Sequence, residues 1–258
     1  RVVLRKAFYS GEIMAVLVTG NGPWPQEKAF VRELQSFCSG LASVVRSIND
    51  EPSGIASGRQ YRRLAGRDHV IDRLGHLTFR ISPSSFYQIN PVQTMVLYKK
   101  ALEYAALTGV ETVVDAYSGV GTIALFLAGH AKKVYGLEAV PQAVEDARRN
   151  AVLNKISNVE FQPGEVEKLL PVLAARGLRP DVVVLDPPRS GCRREALDAV
   201  AEMRTPLVVY VSCDPVTMAR DLGYLTGKGY LVIEVQPVDM FPWTRHVESI
   251  VLLQRQND

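Results

Sequence analysis

From residue 111 onward, short runs of β-branched and aliphatic residues alternate with stretches whose apolar positions recur at helical spacing, the pattern of a parallel sheet covered by helices. The runs predict strands at 111–117, 133–138, 159–162, 181–186, 207–212, 231–235 and 247–253, with helices at 121–128, 141–154, 166–176, 194–203 and 215–227. Residues 236–246 join the last two strands, hold Pro237 and Pro242, and are too few for a crossover helix. The final strand is therefore expected to run antiparallel to its neighbour. Residues 1–85 read differently. Alternating stretches at 2–7 and 12–18 flank Ser10-Gly11, a hairpin-like turn, and are followed by an expected helix at 26–41 and strands at 44–49, 69–73 and 77–81. Pro91 in a first helical turn, with Asn90 as cap, predicts a helix over 91–106. The expected class is α/β: a doubly wound, seven-stranded sheet with an antiparallel last strand over 111–258, a smaller α+β lobe over 1–85, and a linking helix region over 86–110.

Composition narrows the setting. The chain is 47% hydrophobic and 22% charged, and no segment approaches the roughly 18 consecutive apolar residues that span a bilayer, so a soluble protein without a membrane partner is expected. It opens with Arg1 and without a secretory signal, which reads as a piece of a longer polypeptide. Cys38, Cys192 and Cys213 are odd in number and widely spaced, which suits neither a disulfide framework nor a metal site. A reducing cytoplasm fits, no metal or iron-sulfur cluster is expected, and a monomer is taken as the default. Residues 1–110 carry 14 Lys/Arg against 8 Asp/Glu, and residues 111–258 carry 16 against 19, so the first part is the one suited to face a polyanion.

The first strand of the sheet runs into Asp115-Ala-Tyr-Ser-Gly-Val-Gly-Thr, a glycine turn leading directly to a helix N-terminus. Such a turn either holds a nucleotide-type ligand or is merely tight. Tyr117 stands where a dinucleotide fingerprint wants its first glycine, which disfavours a nicotinamide enzyme and favours a cofactor without phosphate. S-adenosylmethionine has none, and either Asp115 or nearby carbonyls would receive its ammonium, directly or through water. Glu138 ends the second strand about twenty residues on, where a carboxylate accepts both ribose hydroxyls; the plainer role is a helix cap. Glu165, after the third strand, lies where an adenine edge is expected.

After the fourth strand, Asp186-Pro-Pro-Arg189 holds an acid over the pocket on a rigid turn. Amino-directed methyltransferases place an aromatic residue after such prolines, whereas Arg189 stands here. After the fifth strand comes Val211-Ser-Cys213-Asp-Pro215, a thiol near a helix N-terminus that would lower its pKa, unless Cys213 is simply a small core residue. The last strand opens at His246-Val-Glu248, after a loop with Phe241, Trp243 and Arg245. A thiol and a carboxylate at one pocket have a definite use: thiolate addition at carbon 6 of uracil makes carbon 5 nucleophilic, and a base then removes the carbon 5 proton. Cys213 and Glu248 fill those roles. Gly58-Arg-Gln-Tyr-Arg-Arg63 reads either as an ordinary solvated loop or as a basic one in which Arg62 and Arg63 grip RNA phosphates, with Trp243 or Phe241 as the residue to stack on a base.

Taken in order, Ser85-Phe-Tyr-Gln88-Ile-Asn90, Asp115-Ala-Tyr-Ser-Gly-Val-Gly121, Asp186-Pro-Pro-Arg189, Ser212-Cys213-Asp-Pro215 and His246-Val-Glu248 resemble the RNA uracil-5-methyltransferases of ribosomal and transfer RNA, over about residues 80–258. The resemblance implies a Rossmann-like class I methyltransferase fold, S-adenosylmethionine as cofactor, and RNA as partner, the wording being nearer the ribosomal branch. It implies cofactor contacts at Gln88, Tyr117, Thr122, Glu138 and Asp186, with Gly119 in the same turn, the nucleophile at Cys213 and the proton acceptor at Glu248. Phe86, Arg189 and His246 fall on the substrate side. Read from residues alone, 86–90 is a polar strand-to-helix loop. Two departures stand out: the N-terminal RNA-binding barrel of many relatives is missing, and so are the clustered cysteines of those that hold an iron-sulfur centre. The rival readings are a methyltransferase acting on an exocyclic amine, which needs no thiol, and a non-catalytic RNA-binding module with a relic pocket.

Overall fold

A computed structural model describes residues 1–50 and 60–256. The chain divides into two compact units, Arg1–Tyr87 and Gln88–Asp258.

In the first unit, β1 (Val2–Lys6) pairs antiparallel with β2 (Ile13–Thr19), as the Ser10-Gly11 turn predicts. Helix α1 (Glu27–Phe37) then returns the chain to β3 (Leu41–Ile48), which is parallel to β2, and β4 (Gln60–Gly66) closes the sheet in the order β1-β2-β3-β4. Val31 of α1 packs on Leu17 and Val44. The helix stops short of the expected residue 41 because Cys38 is already extended, and Leu41 is needed as the first rung of β3. A hairpin of β5 (Val70–Leu74) and β6 (Leu77–Ile81) alternates buried and partly exposed positions, with Val70, Asp72 and Leu74 facing inward.

The second unit opens with α2 (Pro91–Ala105), capped by the Asn90 side chain, which accepts from the Gln93 amide at 3.2 Å and donates to the Met240 carbonyl at 3.1 Å. Seven strands follow: β7 (Thr112–Ala116), β8 (Lys133–Glu138), β9 (Val159–Pro163), β10 (Val182–Leu185), β11 (Leu207–Ser212), β12 (Tyr230–Val238) and β13 (Glu248–Arg255). Their order is β9-β8-β7-β10-β11-β13-β12, with the first five parallel and β13 antiparallel to both its neighbours. The short connection before β13 thus has the consequence expected of it. Helices α3 (Thr122–Ala128), α4 (Pro141–Leu153), α5 (Val166–Ala175), α6 (Arg194–Glu202) and α7 (Pro215–Thr226) make the crossovers. One face of the sheet, with Val114, Val183, Val208 and Val251, packs on Leu170, Leu197 and Leu225 of α5, α6 and α7. The alternate residues Val113, Val134, Val184, Val209 and Ile250 are equally buried, so the central strands are apolar on both faces, as parallel strands between helices must be. β12 outruns its expected length because it is an edge strand, where a bulge between Val232 and Glu234 and the proline at 237 are tolerated.

Candidate active site

Sheet register brings the candidate residues together. Ala116 of β7 lies opposite Leu185 of β10 and Leu137 of β8, so Tyr117, Asp186 and Glu138 leave neighbouring strands at the same carboxyl edge. Ser212 of β11 pairs with Ser249 of β13 at the end of that antiparallel ladder, so Cys213 and Glu248 adjoin its last rung, near enough for the carboxylate to act on the thiol. Adjacent strands are spaced by about 4.8 Å, so thiol and carboxylate stand side by side.

The glycine turn is built from left-handed backbone. Tyr117 has φ 67°, Gly119 55° and Gly121 84°. A tyrosine in this region costs roughly 1–2 kcal/mol, and its hydroxyl is tied down by donation to Glu167 at 2.9 Å on the first turn of α5. A Cβ on Gly121 would come within 2.7 Å of the Phe161 ring, and one on Gly136 within 2.4 Å, so one ring of β9 floors the turn. Glu138 accepts from the Gly119 amide at 2.9 Å and from the Val140 amide at 2.7 Å, fastening the turn to the end of β8. Thr122, the first residue of α3, receives the Tyr98 hydroxyl at 2.8 Å. Asp115 is fully buried and neither carboxylate oxygen has a well-formed partner. Burial pushes its pKa up to about 8, against partial relief from the Ala124 amide and with a further push from Glu138.

Four acids share this edge, Asp115, Glu138, Asp186 and Glu248. Asp186 is held well above the carboxylate range by burial, then by the charges of Glu248 and Asp115. Glu248 is 3% exposed, and burial pushes it up to about 7, opposed by Arg189. The half-buried Cys213 thiol is likewise raised, first by burial and then by Glu248, while the guanidinium of Arg189 works against both. A lowered thiol was the expectation from the nearby helix N-terminus. The amides that would do it are taken: Asp214 caps α7, accepting from Val216 at 3.0 Å and Thr217 at 3.1 Å.

The loop carrying Arg189 is fastened to α7, the helix behind Cys213. Thr217 donates to the Arg189 carbonyl at 3.1 Å, and Arg220 to that of Ser190 at 2.9 Å. Asp221, 1% exposed, accepts from the Cys192 amide at 2.7 Å and the Tyr210 hydroxyl at 2.6 Å. Sequence reading passed over this residue. Its signal was a charge within the buried stripe of Met218, Leu222 and Leu225. Asp221→Ala is expected to lower the unfolding free energy by roughly 2–5 kcal/mol, because two buried donors lose their acceptor; an unchanged urea midpoint would contradict this.

Other candidates are more dispersed. Gln88 is half-buried at the start of the second unit, and Phe86, in the first, is exposed. Glu165 pairs with Lys168 at 2.9 Å. Trp243 is fully exposed at φ 65°, and His246 packs edge-on to Phe241 with centroids 6.3 Å apart. The expected basic loop is corrected in part. Gly58 and Arg59 lie outside the described residues, but Gln60 onward is β4, whose backbone pairs with β3. Arg62 is ion-paired to Glu27, which also holds the buried Arg46 at 3.4 Å, so Arg62 is not a free phosphate grip. Arg63, its neighbour along the strand, is exposed. Among the described residues no three His, Cys, Asp or Glu are grouped to hold a metal ion, and no helix is long and apolar enough to cross a membrane.

This strand order, with its antiparallel final strand and a glycine turn after the first strand, is the class I methyltransferase fold, as in the tRNA (uracil-54, C5)-methyltransferase of Pyrococcus abyssi solved with S-adenosyl-L-homocysteine. That structure matches at a TM-score of 0.80 and 31% identity, over 98% of this chain and 59% of that one. The tRNA (uracil-5-)-methyltransferase family model matches residues 55–256, and the chain belongs to that family. Uncharacterized RNA methyltransferases of Clostridium tetani and Halalkalibacterium halodurans are each 48% identical to it, over 100% and 99% of the chain. The chain spans 56% of the length of each of these two relatives.

Proposed function

We propose that this chain transfers a methyl group from S-adenosylmethionine to carbon 5 of a uridine in RNA, through a covalent adduct at Cys213. The adjacency of Cys213 and Glu248 across the β11–β13 ladder, beside the acids Asp115 and Asp186, carries the reading. Buried acids that raise one another favour a cationic ligand, and the orphaned oxygens of Asp115 offer it acceptors. S-adenosylmethionine fits that donor set, with Asp115 and Asp186 toward its charged end and Glu138 toward its ribose; when bound, it supplies the methyl group as a sulfonium electrophile.

The remaining work belongs to the chain and the RNA. The Cys213 sulfur adds to carbon 6, and the electron pair displaced onto the ring makes carbon 5 the atom that takes up the methyl group. Glu248 receives the proton from carbon 5, the carbon 6–sulfur bond breaks, and the thiolate leaves as the ring regains its double bond. Arg189, beside both groups, stabilises the thiolate before addition and after elimination. The finer reading takes ribosomal RNA as substrate and the cytoplasm as the setting, in keeping with three free thiols. The uracil-54 tRNA specificity named for the P. abyssi protein makes tRNA the comparison substrate.

The test mixes the protein with S-adenosylmethionine and 5-fluorouridine-containing ribosomal or transfer RNA. Fluorine at carbon 5 blocks the final proton removal, so a denaturant-stable complex at Cys213 carrying one added methyl is expected. Continued methylation of ordinary RNA with no such complex would overturn the thiol mechanism in favour of an amine acceptor.

A further inference from the structure

Far from the carboxyl edge in sequence, the turn between β1 and β2 displays two large aromatics. Phe8 is 67% and Tyr9 65% exposed. Exposed aromatics are common singly, but this pair is held in place by a buried charge. Asp72, on the inward face of β5 among Val70, Leu74 and Phe79, is 2% exposed and uses one carboxylate oxygen for each aromatic residue's backbone: the Phe8 amide at 2.9 Å and the Tyr9 amide at 2.8 Å. The turn is pinned again by Ser10 donating to the Ile71 carbonyl at 2.5 Å and by the Ala7 amide donating to Glu12 at 2.8 Å. An apolar residue at 72 would suit the core better, since a buried carboxylate is costly unless its hydrogen bonds are needed. What those bonds achieve is a rigid display of two rings in water.

The chemistry beside the rings says what they would receive. The Arg73 guanidinium lies 4.5 Å from the Tyr9 ring centroid and donates to its hydroxyl at 3.0 Å, so one ring face is covered by a cation while the ring as a whole stays mostly exposed. Residues 1–87 carry 12 Lys/Arg against 7 Asp/Glu, which suits a polyanion and disfavours a basic protein partner. An aromatic face with a neighbouring arginine is the combination that takes an unpaired base and its phosphate.

We propose that Phe8 and Tyr9, backed by Arg73, form a stacking platform on the first unit for unpaired bases of the RNA substrate. The proposal rests on the reading of this chain as an RNA-modifying enzyme, but its test is a binding measurement that does not use the chemistry. Fluorescence anisotropy of a short unstructured RNA on the full chain should show the Phe8→Ala/Tyr9→Ala double variant binding more weakly by roughly thirtyfold or more, the loss of two stacked bases. Both side chains are exposed, so the core is untouched, and the aromatic exchange Phe8→Tyr/Tyr9→Phe should retain affinity. Stacking carries no counterion release, so the double variant should keep the salt dependence of the wild type, while Arg73→Ala should reduce its slope by about one. Photocrosslinks from 4-thiouridine RNA should map to the peptide holding residues 8 and 9. Affinity of the double variant within twofold of wild type, or crosslinks confined to other peptides, overturns the platform. Absence of the 5-fluorouridine adduct from the wild type, with aromatic-dependent binding retained, would instead sink the methylation chemistry and leave the platform standing.

Discussion

Replacing Cys213 with alanine should abolish methyl transfer to RNA, a loss on the order of 10⁶-fold if the thiol behaves as other covalent nucleophiles do. Addition at carbon 6 is the step that makes carbon 5 reactive, and alanine offers no nucleophile for it. Cofactor binding, which the proposed contacts at Asp115, Glu138 and Asp186 provide, should survive, so calorimetry with S-adenosylmethionine separates lost chemistry from lost fold. The raised thiol adds a pH signature. The thiolate is the scarcer form at neutrality, so adduct formation by the wild type should accelerate as pH rises toward the pKa of Cys213, which burial and Glu248 hold above the ordinary value. Measurable turnover in Cys213→Ala would end the covalent reading.

Glu248→Gln should trap the reaction after methylation. The isosteric amide preserves the pairing of β13 with β11 but cannot accept the carbon 5 proton, so turnover should fall by roughly 10²–10⁴-fold while a methylated covalent complex accumulates on ordinary uridine RNA. Its pH dependence follows from the position of the carboxyl near 7. The base must be deprotonated to work, so wild-type turnover should rise as pH passes upward through about 7, and that limb should be missing from the residual activity of the variant. A variant that turns over freely without accumulating adduct would assign proton removal to another group.

The sheet of the second unit could be read from the chain because its central strands are buried on both faces and therefore appear as unbroken aliphatic runs, such as Val182–Leu185. Three of the candidates were placed by the same signal: Tyr117, Asp186 and Cys213 each come directly after one of these runs, and parallel strands deliver such residues to one edge, whereas Glu248 opens the antiparallel β13. β4 was not legible. Its residues include Gln60, Arg62 and Arg63, polar groups typical of an edge strand, and its pairing is set by β3 rather than by any alternation of its own. The thiol's electrostatics were also out of reach. Proximity to a helix start was visible in Cys213-Asp-Pro215, but not that the Asp214 carboxylate would occupy the free amides, nor that Glu248 would become the neighbour that matters more. Glu138 has a structural role that the sequence did not spell out: its carboxylate fastens the Gly119 and Val140 amides, tying the glycine turn to the end of β8.

Phe161 fills the space that side chains at Gly121 and Gly136 would occupy, and it does so from β9, the outermost strand on that side of the sheet. The three positions therefore share one fixed volume. A methyl group gained at Gly136 has to be given back at residue 161, while at Gly121 even that is not enough, because its φ of 84° strains any side chain. The curvature of the glycine turn is, in that sense, inherited from a ring two strands away.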